Sequence, residues 1–163
     1  GMEMNKLLLF LLISVFVMML QAAQWDYEMA VHALFRAKHA LNRATHAAAQ
    51  QLDLDRLPEG VHAIDEARAQ RTALEYLRLN MQLDEHNRPL PGSFLRAEVE
   101  VLEWKVVNAD EVFPYVHVNE SLGYRVTLHR PGVIMVIRVQ YPRMFRLLGP
   151  IEWELKGVSE LVT

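Results

Sequence analysis

Apolar residues fall along this chain in three successive patterns, and each predicts a different kind of structure. From Leu7 to Leu20 the run LLLFLLISVFVMML contains no charge. From Gln21 to Leu52 apolar and polar residues recur at helical spacing, without a glycine or proline. From Phe94 onward the period shortens toward two, the signature of strands with one wet face.

The first pattern predicts a membrane-crossing helix. A helix from Met4 to Trp25 measures about 33 Å at 1.5 Å per residue, enough for a hydrocarbon layer of about 30 Å. Lys6 precedes the run whereas Asp26 and Glu28 follow it, which favours the N-terminus inside and the rest of the chain outside. Trp25 and Tyr27 stand where amphipathic rings settle at the bilayer surface. Residues 1–24 are therefore expected to be a transmembrane segment and 25–163 an extracytoplasmic domain. The alternative is a cleaved signal peptide, because a short basic start and about 14 apolar residues are also its features. Gln21, Ala22 and Ala23 make a poor cleavage site, and helical character continues past them.

In the second pattern, strong helix formers extend the same helix to about Leu52. Ala30, Ala33, Ala37, Ala40, Ala44 and Ala47 recur at spacings of three and four, on one stripe, with Leu34, Leu41 and Ala48 beside it. This is the expected helix-packing seam. It serves equally for the core of the chain's own domain or for packing between subunits.

The turn-forming stretch LDLDRLPEG ends that helix, and a short extended piece, Val61 to Ile64, follows. Asp65 is the expected N-cap of a second helix from Glu66 to about Leu83, with Ala69, Ala73, Leu74, Leu77 and Met81 as its apolar face. Strands follow: one around Val99 and Val101 with a bulge near Leu102, then Tyr115 to Val118, then Leu122 to Arg130. Arg130, Pro131, Gly132 and Val133 read as a hairpin turn into Val133–Tyr141, whose apolar run predicts a central antiparallel strand ended by Pro142. After a connection through Arg143 to Pro150, Ile151, Trp153 and Leu155 alternate with Glu152, Glu154 and Lys156 in a last strand. The expected fold class is α+β, a long helix, a short helix and an antiparallel sheet of about four strands.

Charge and chemistry narrow the function. The 163 residues carry 17 basic and 20 acidic side chains, a net charge of -3, which lacks the excess that a phosphate backbone requires and argues against nucleic acid. There is no cysteine. No P-loop, dinucleotide fingerprint, G-x-S-x-G or H-E-x-x-H pattern occurs, so a non-catalytic protein without a cofactor is expected. His32, His39 and His46 repeat every seven residues, but successive members stand about 10.5 Å apart along a helix, too far to share one metal ion. They are expected on a solvated or interfacial face with Arg36, Arg43 and Gln50. Glu98, Glu100 and Glu103 are expected to be a solvated strand face rather than paired acid–base carboxylates or, with Asp110 and Glu111 nearby, a calcium site. Trp104, Trp153 and Tyr141 are expected in core or cross-strand pairs.

The apolar segment flowing into the alanine-rich helix from Gln21 to Gln51, followed by a sheet whose late strand ends VQYP at Val139 to Pro142, resembles the plan of pilins and pseudopilins. Within that group the chain is most similar to TadE-like proteins of the tight-adherence pilus. The resemblance implies a structural subunit of an extracellular filament, or of a related secretion apparatus. Its implied partners are the membrane, further copies or other pilin-like subunits, and assembly proteins. Prepilin processing in such proteins uses a Gly before the cut and a Glu five residues beyond it; here Gly1 is followed at that distance by Lys6.

Overall fold

In a computed structural model that describes residues 1–142 and 149–162, the chain forms two helices, a short 3₁₀ turn and five strands in an α+β arrangement. Helix α1 runs without a break from Met2 to Ala49, about 70 Å of continuous helix. Its residues supply no breaker until Gln50 closes the last turn. The link to the next helix passes through a 3₁₀ turn at Leu57–Glu59, entered by Pro58 and left through Gly60 at φ +79°. It is held at its base by a bridge between Leu52 and Ile64 and by the Asp65 N–H donating to the Gln51 carbonyl at 2.8 Å.

Helix α2, Glu66–Met81, starts where the Asp65 carboxylate accepts the Arg68 N–H at 3.1 Å and stops at Gln82, which turns left-handed at φ 56°. Its buried face is Ala69, Ala73, Leu77 and Met81. The strands are β1 Glu100–Val107, β2 Tyr115–Asn119, β3 Tyr124–Leu128, β4 Gly132–Tyr141 and β5 Ile151–Glu160. Strands β1, β4 and β5 form one antiparallel sheet in the order β1-β4-β5, so the apolar run of β4 is central, as its burial requires. Between Val101 and Glu103 the β1 register slips, leaving Leu102 as the bulged residue.

The expected single sheet is in fact two. Among the described residues, strands β2 and β3 pair only with each other, in register from Tyr115 opposite Leu128 to Asn119 opposite Tyr124. The hairpin turn expected at Arg130 to Val133 is not one: β3 and β4 on either side of it belong to different sheets. Pro131 and Gly132 instead carry the chain from one layer to the other, and the Pro131 carbonyl accepts the Leu161 N–H at 2.7 Å. The tight turn lies earlier, between Asn119 and Tyr124. There the Asn119 side chain accepts the Leu122 N–H at 3.0 Å, and Gly123 takes φ +69°. The connection expected from Arg143 to Pro150 lies largely outside the described residues.

Three layers result. The upper half of α1 and all of α2 cover one face of the three-stranded sheet, with Leu41, Ala44, Ala48, Leu77, Met135 and Ile137 in the main core. The β2–β3 hairpin lies over one end of the other face, where Val107, Leu128 and Ile134 form a second, smaller core with Phe113, Tyr115 and Val126. Strand β5 climbs in the same direction as α1 and is fastened to it. Lys38 donates to the Lys156 carbonyl, the Ser159 hydroxyl lies 3.2 Å from that of Thr45, and Gln50 donates to the Glu160 carbonyl at 3.0 Å. Burial, with the nearby Lys156 charge, lowers the Lys38 ammonium below the ordinary lysine range.

Candidate functional site

Two features stand apart from a plain α+β domain: the uncovered first half of α1, and a polar cluster enclosed beneath the β2–β3 hairpin.

Among the described residues nothing packs against the apolar first half of α1. From Leu7 to Leu20 every large apolar side chain is exposed, and the window of highest hydropathy has none of its residues buried. The helix is long and apolar enough to cross a membrane. Trp25 and Tyr27 are exposed at its upper end, whereas Asp26 between them is buried.

Above that level the alanine stripe turns to the chain's own interior. Ala30, Ala33, Ala37, Ala40, Leu41, Ala44 and Ala48 are buried, and Leu34 and Ala47 are half-buried. The upper part of the stripe meets α2 and the sheet, and its small side chains set the distance. A Cβ added at Gly157 of β5 would lie 2.8 Å from Leu41 Cγ and 3.0 Å from Thr45 Cγ2. Helix and strand approach as closely as their backbones allow at this point.

Glu103 carries the enclosed cluster. It shares the outer sheet face with Glu98 and Glu100, but its expected solvation is corrected: the hairpin covers this end of the face and leaves its side chain 14 % exposed. His117 Nε2 lies 2.6 Å from Glu103 Oε1, Asn119 Nδ2 lies 2.5 Å from Oε2, and the Tyr124 hydroxyl also donates to Oε2. Burial by itself raises the Glu103 carboxyl; the donors from Tyr124, Asn119 and His117 together outweigh it and hold the group below its ordinary range. The carboxylate is thus ionised and only accepts, which places a proton on His117 Nε2. Tyr124, half-buried beside that carboxylate, is pushed well above the usual phenol range. Lys156 Nζ stands 5.1 Å from the Tyr124 ring centroid, and the His117 and Tyr124 rings are 5.8 Å apart.

This arrangement reverses the apparent sidedness of β2. In the run YVHVN the valines, Val116 and Val118, face solvent while Tyr115, His117 and Asn119 face the sheet. A polar triplet at period two opposite valines is the sequence signal that could have revealed the cluster. Its meaning depends on a carboxylate in a distant strand. Glu103 lines none of five surface depressions among the described residues. One of them, about 530 Å³, is an open hollow beside the C-terminal end of α2, lined by Leu79, Leu83 and Leu90 among others.

The remaining candidate residues do not converge. His32, His39 and His46 are exposed along α1, and no group of three metal-ligating side chains gathers among the described residues. Glu98 and Glu100 are exposed, Glu100 pairing with Arg138 at 3.0 Å. Asp110 turns away to pair with Arg56 at 2.7 Å. Trp104 and Trp153 pack on the main core, and Tyr141 stacks on Trp153 with ring centroids 6.5 Å apart.

No family model, no curated protein and no solved structure matches the chain.

Proposed function

We propose that the chain is a membrane-anchored, non-catalytic structural subunit of pilin-like design. It serves in an extracellular filament of the tight-adherence type or in a related secretion apparatus. The observation that carries this reading is the division of one unbroken helix into a bare apolar half and a half built into the domain. A bare run of leucine, isoleucine, phenylalanine and valine is stable only in lipid or against other apolar helices, and an unbroken helix couples either choice rigidly to the domain above. Lys6 below the run and Trp25 with Tyr27 above it suit a single crossing with the domain outside.

A second reading, a membrane-anchored extracytoplasmic scaffold or binding domain, is favoured by the upper alanine stripe. Ala37, Ala40, Leu41, Ala44 and Ala48 are occupied inside the chain, so a neighbouring helix has only the lower segment to grip.

Sedimentation and flotation of the full chain and of a variant lacking residues 1–24 separate these readings. A filament subunit gives long assemblies with the segment and a monomer without it; an anchored scaffold floats with vesicles and never lengthens. Full-length chain that stays monomeric in water without lipid or detergent would overturn both.

A further inference from the structure

Aromatic side chains from the helix and from the sheet gather at one height. Trp25 and Tyr27 stand exposed on α1 where its bare half ends. On the sheet, Tyr141 ends β4, Ile151 opens β5 opposite it, and Trp153 stacks on Tyr141. All three are half-buried, on the face that turns toward the helices, and alternate along their strands with Gln140, Glu152 and Glu154.

The contacts between α1 and β5 fix that height. Lys38 meets Lys156 and Thr45 meets Ser159, and the rise between them is about 10.5 Å of helix against about 10 Å of strand, so the two elements climb together. Ile151 precedes Lys156 by about 17 Å of strand, which equals about 11 residues of helix. Ile151 and its partner Tyr141 are therefore level with about residue 27 of α1, and Trp153 with about residue 31. Asp26 gives the same level independently. It lies on the alanine stripe and is 7 % exposed while Trp25 and Tyr27 are open, so chain outside α1 reaches down to it. The bilayer is measured by the same helix. The 20 residues from Leu7 to Asp26 fill a hydrocarbon layer of about 30 Å, and the headgroups add about 5 to 7 Å, up to about residue 30.

We infer that the lower rim of the domain, with Tyr141, Ile151 and Trp153, is a lipid-facing surface seated in the outer headgroup layer of the bilayer that α1 crosses. Tyrosine and tryptophan favour that layer because the body of each ring is apolar and its tip forms hydrogen bonds. Two of the three tryptophans and two of the five tyrosines stand in this one band, so segments more than a hundred residues apart supply a single aromatic belt. A second copy of the chain is a poor occupant, because β5 climbs with α1 and its lower end points along the helix axis toward the membrane, not sideways toward a neighbour. Seated in this way, the domain stands upright with its strands along the membrane normal. The end of the sheet at Gly132 and Glu160 is then about 30 Å above the rim.

This surface rests on the single membrane crossing proposed above. The test places a bimane fluorophore on Pro150→Cys or on Val112→Cys of the full chain, which has no natural cysteine, in phosphatidylcholine vesicles. Both residues are exposed, Pro150 beside the rim and Val112 in the loop before β2 at the opposite end of the sheet. A nitroxide carried on the lipid headgroup is expected to quench the Pro150 probe at least about threefold more than the Val112 probe, which stands about 30 Å higher. The natural side chain is read in Trp25→Phe, whose remaining tryptophan emission is expected to be quenched through Trp153 and to lose that quenching in Trp25→Phe/Trp153→Phe. Equal quenching of the two probes, or tryptophan quenching indifferent to Trp153, in chain that floats with the vesicles would overturn the rim contact and leave the anchor standing. Chain that does not float overturns the crossing, and the rim contact with it.

Discussion

Leu12 and Leu41 sit in the same helix, in the same backbone conformation, and have opposite surroundings. Leu12 is 67 % exposed on a bare cylinder, while Leu41 is fully enclosed between the sheet and the rest of the main core. The helix is therefore held by two agencies. Below Trp25 its backbone hydrogen bonds and its apolar character suit it to a membrane or a bundle, and the domain gains nothing from it. Above Ala30 small side chains draw it onto a sheet, and the domain cannot form without it.

That contrast predicts opposite responses to one chemical change. Leu41→Ala removes packed atoms from the core and is expected to cost about 3 kcal/mol of domain stability; Leu12→Ala is expected to cost less than about 0.5 kcal/mol. Denaturant unfolding followed by tryptophan fluorescence reads both. Equal losses would mean that the lower half supports the domain after all. A smaller loss is expected at the place where α1 and β5 come closest. The methyl group of Gly157→Ala would meet Leu41 Cγ at 2.8 Å, inside any relaxed contact, and is expected to cost about 2 kcal/mol. The alanine has a better strand propensity than the glycine it replaces, so a gain in stability would show that the helix can retreat without cost.

The same division decided what could be read from the chain beforehand. Elements that local pattern specifies were legible: both helices, the bulge at Leu102 and the central position of β4 follow from periodicity, capping and an unbroken apolar run. Which strands pair is not a local property. The residues from Arg130 to Val133 have the composition of a hairpin turn, yet Gly132 pairs with Glu160 and Val107 because the outer face of the sheet needed a cover and β2–β3 supplied it. The enclosure of Glu103 was hidden for the same reason. Its three donors come from β2 and β3, 14 to 21 residues away, and nothing near Glu103 announces them.

The smallest effect falls in the layer farthest from the helix and sharpens the comparison by its pH dependence. Glu103→Gln keeps the shape of the side chain but offers one acceptor oxygen where the carboxylate offers two, so at least one of His117, Asn119 and Tyr124 faces an amide N–H instead. A loss of about 1 to 2 kcal/mol at neutral pH is expected. Because hydrogen bonding holds the folded carboxyl below its unfolded value, the unfolded chain binds the proton first as acid is added. The stabilisation is then complete above the ordinary carboxylate pKa of about 4.3 and is lost as pH falls through the lower folded value. Unfolding midpoints measured from pH 7 downward should therefore show the natural chain and Glu103→Gln separated at neutral pH and converging below about pH 4. Leu41→Ala, whose loss involves no proton, should keep its full deficit at every pH at which the chain folds. Convergence of all three would show that acid unfolds the domain through some other group, and that the hairpin is held on the sheet by Ile134, Leu128 and Val107 without help from the carboxylate.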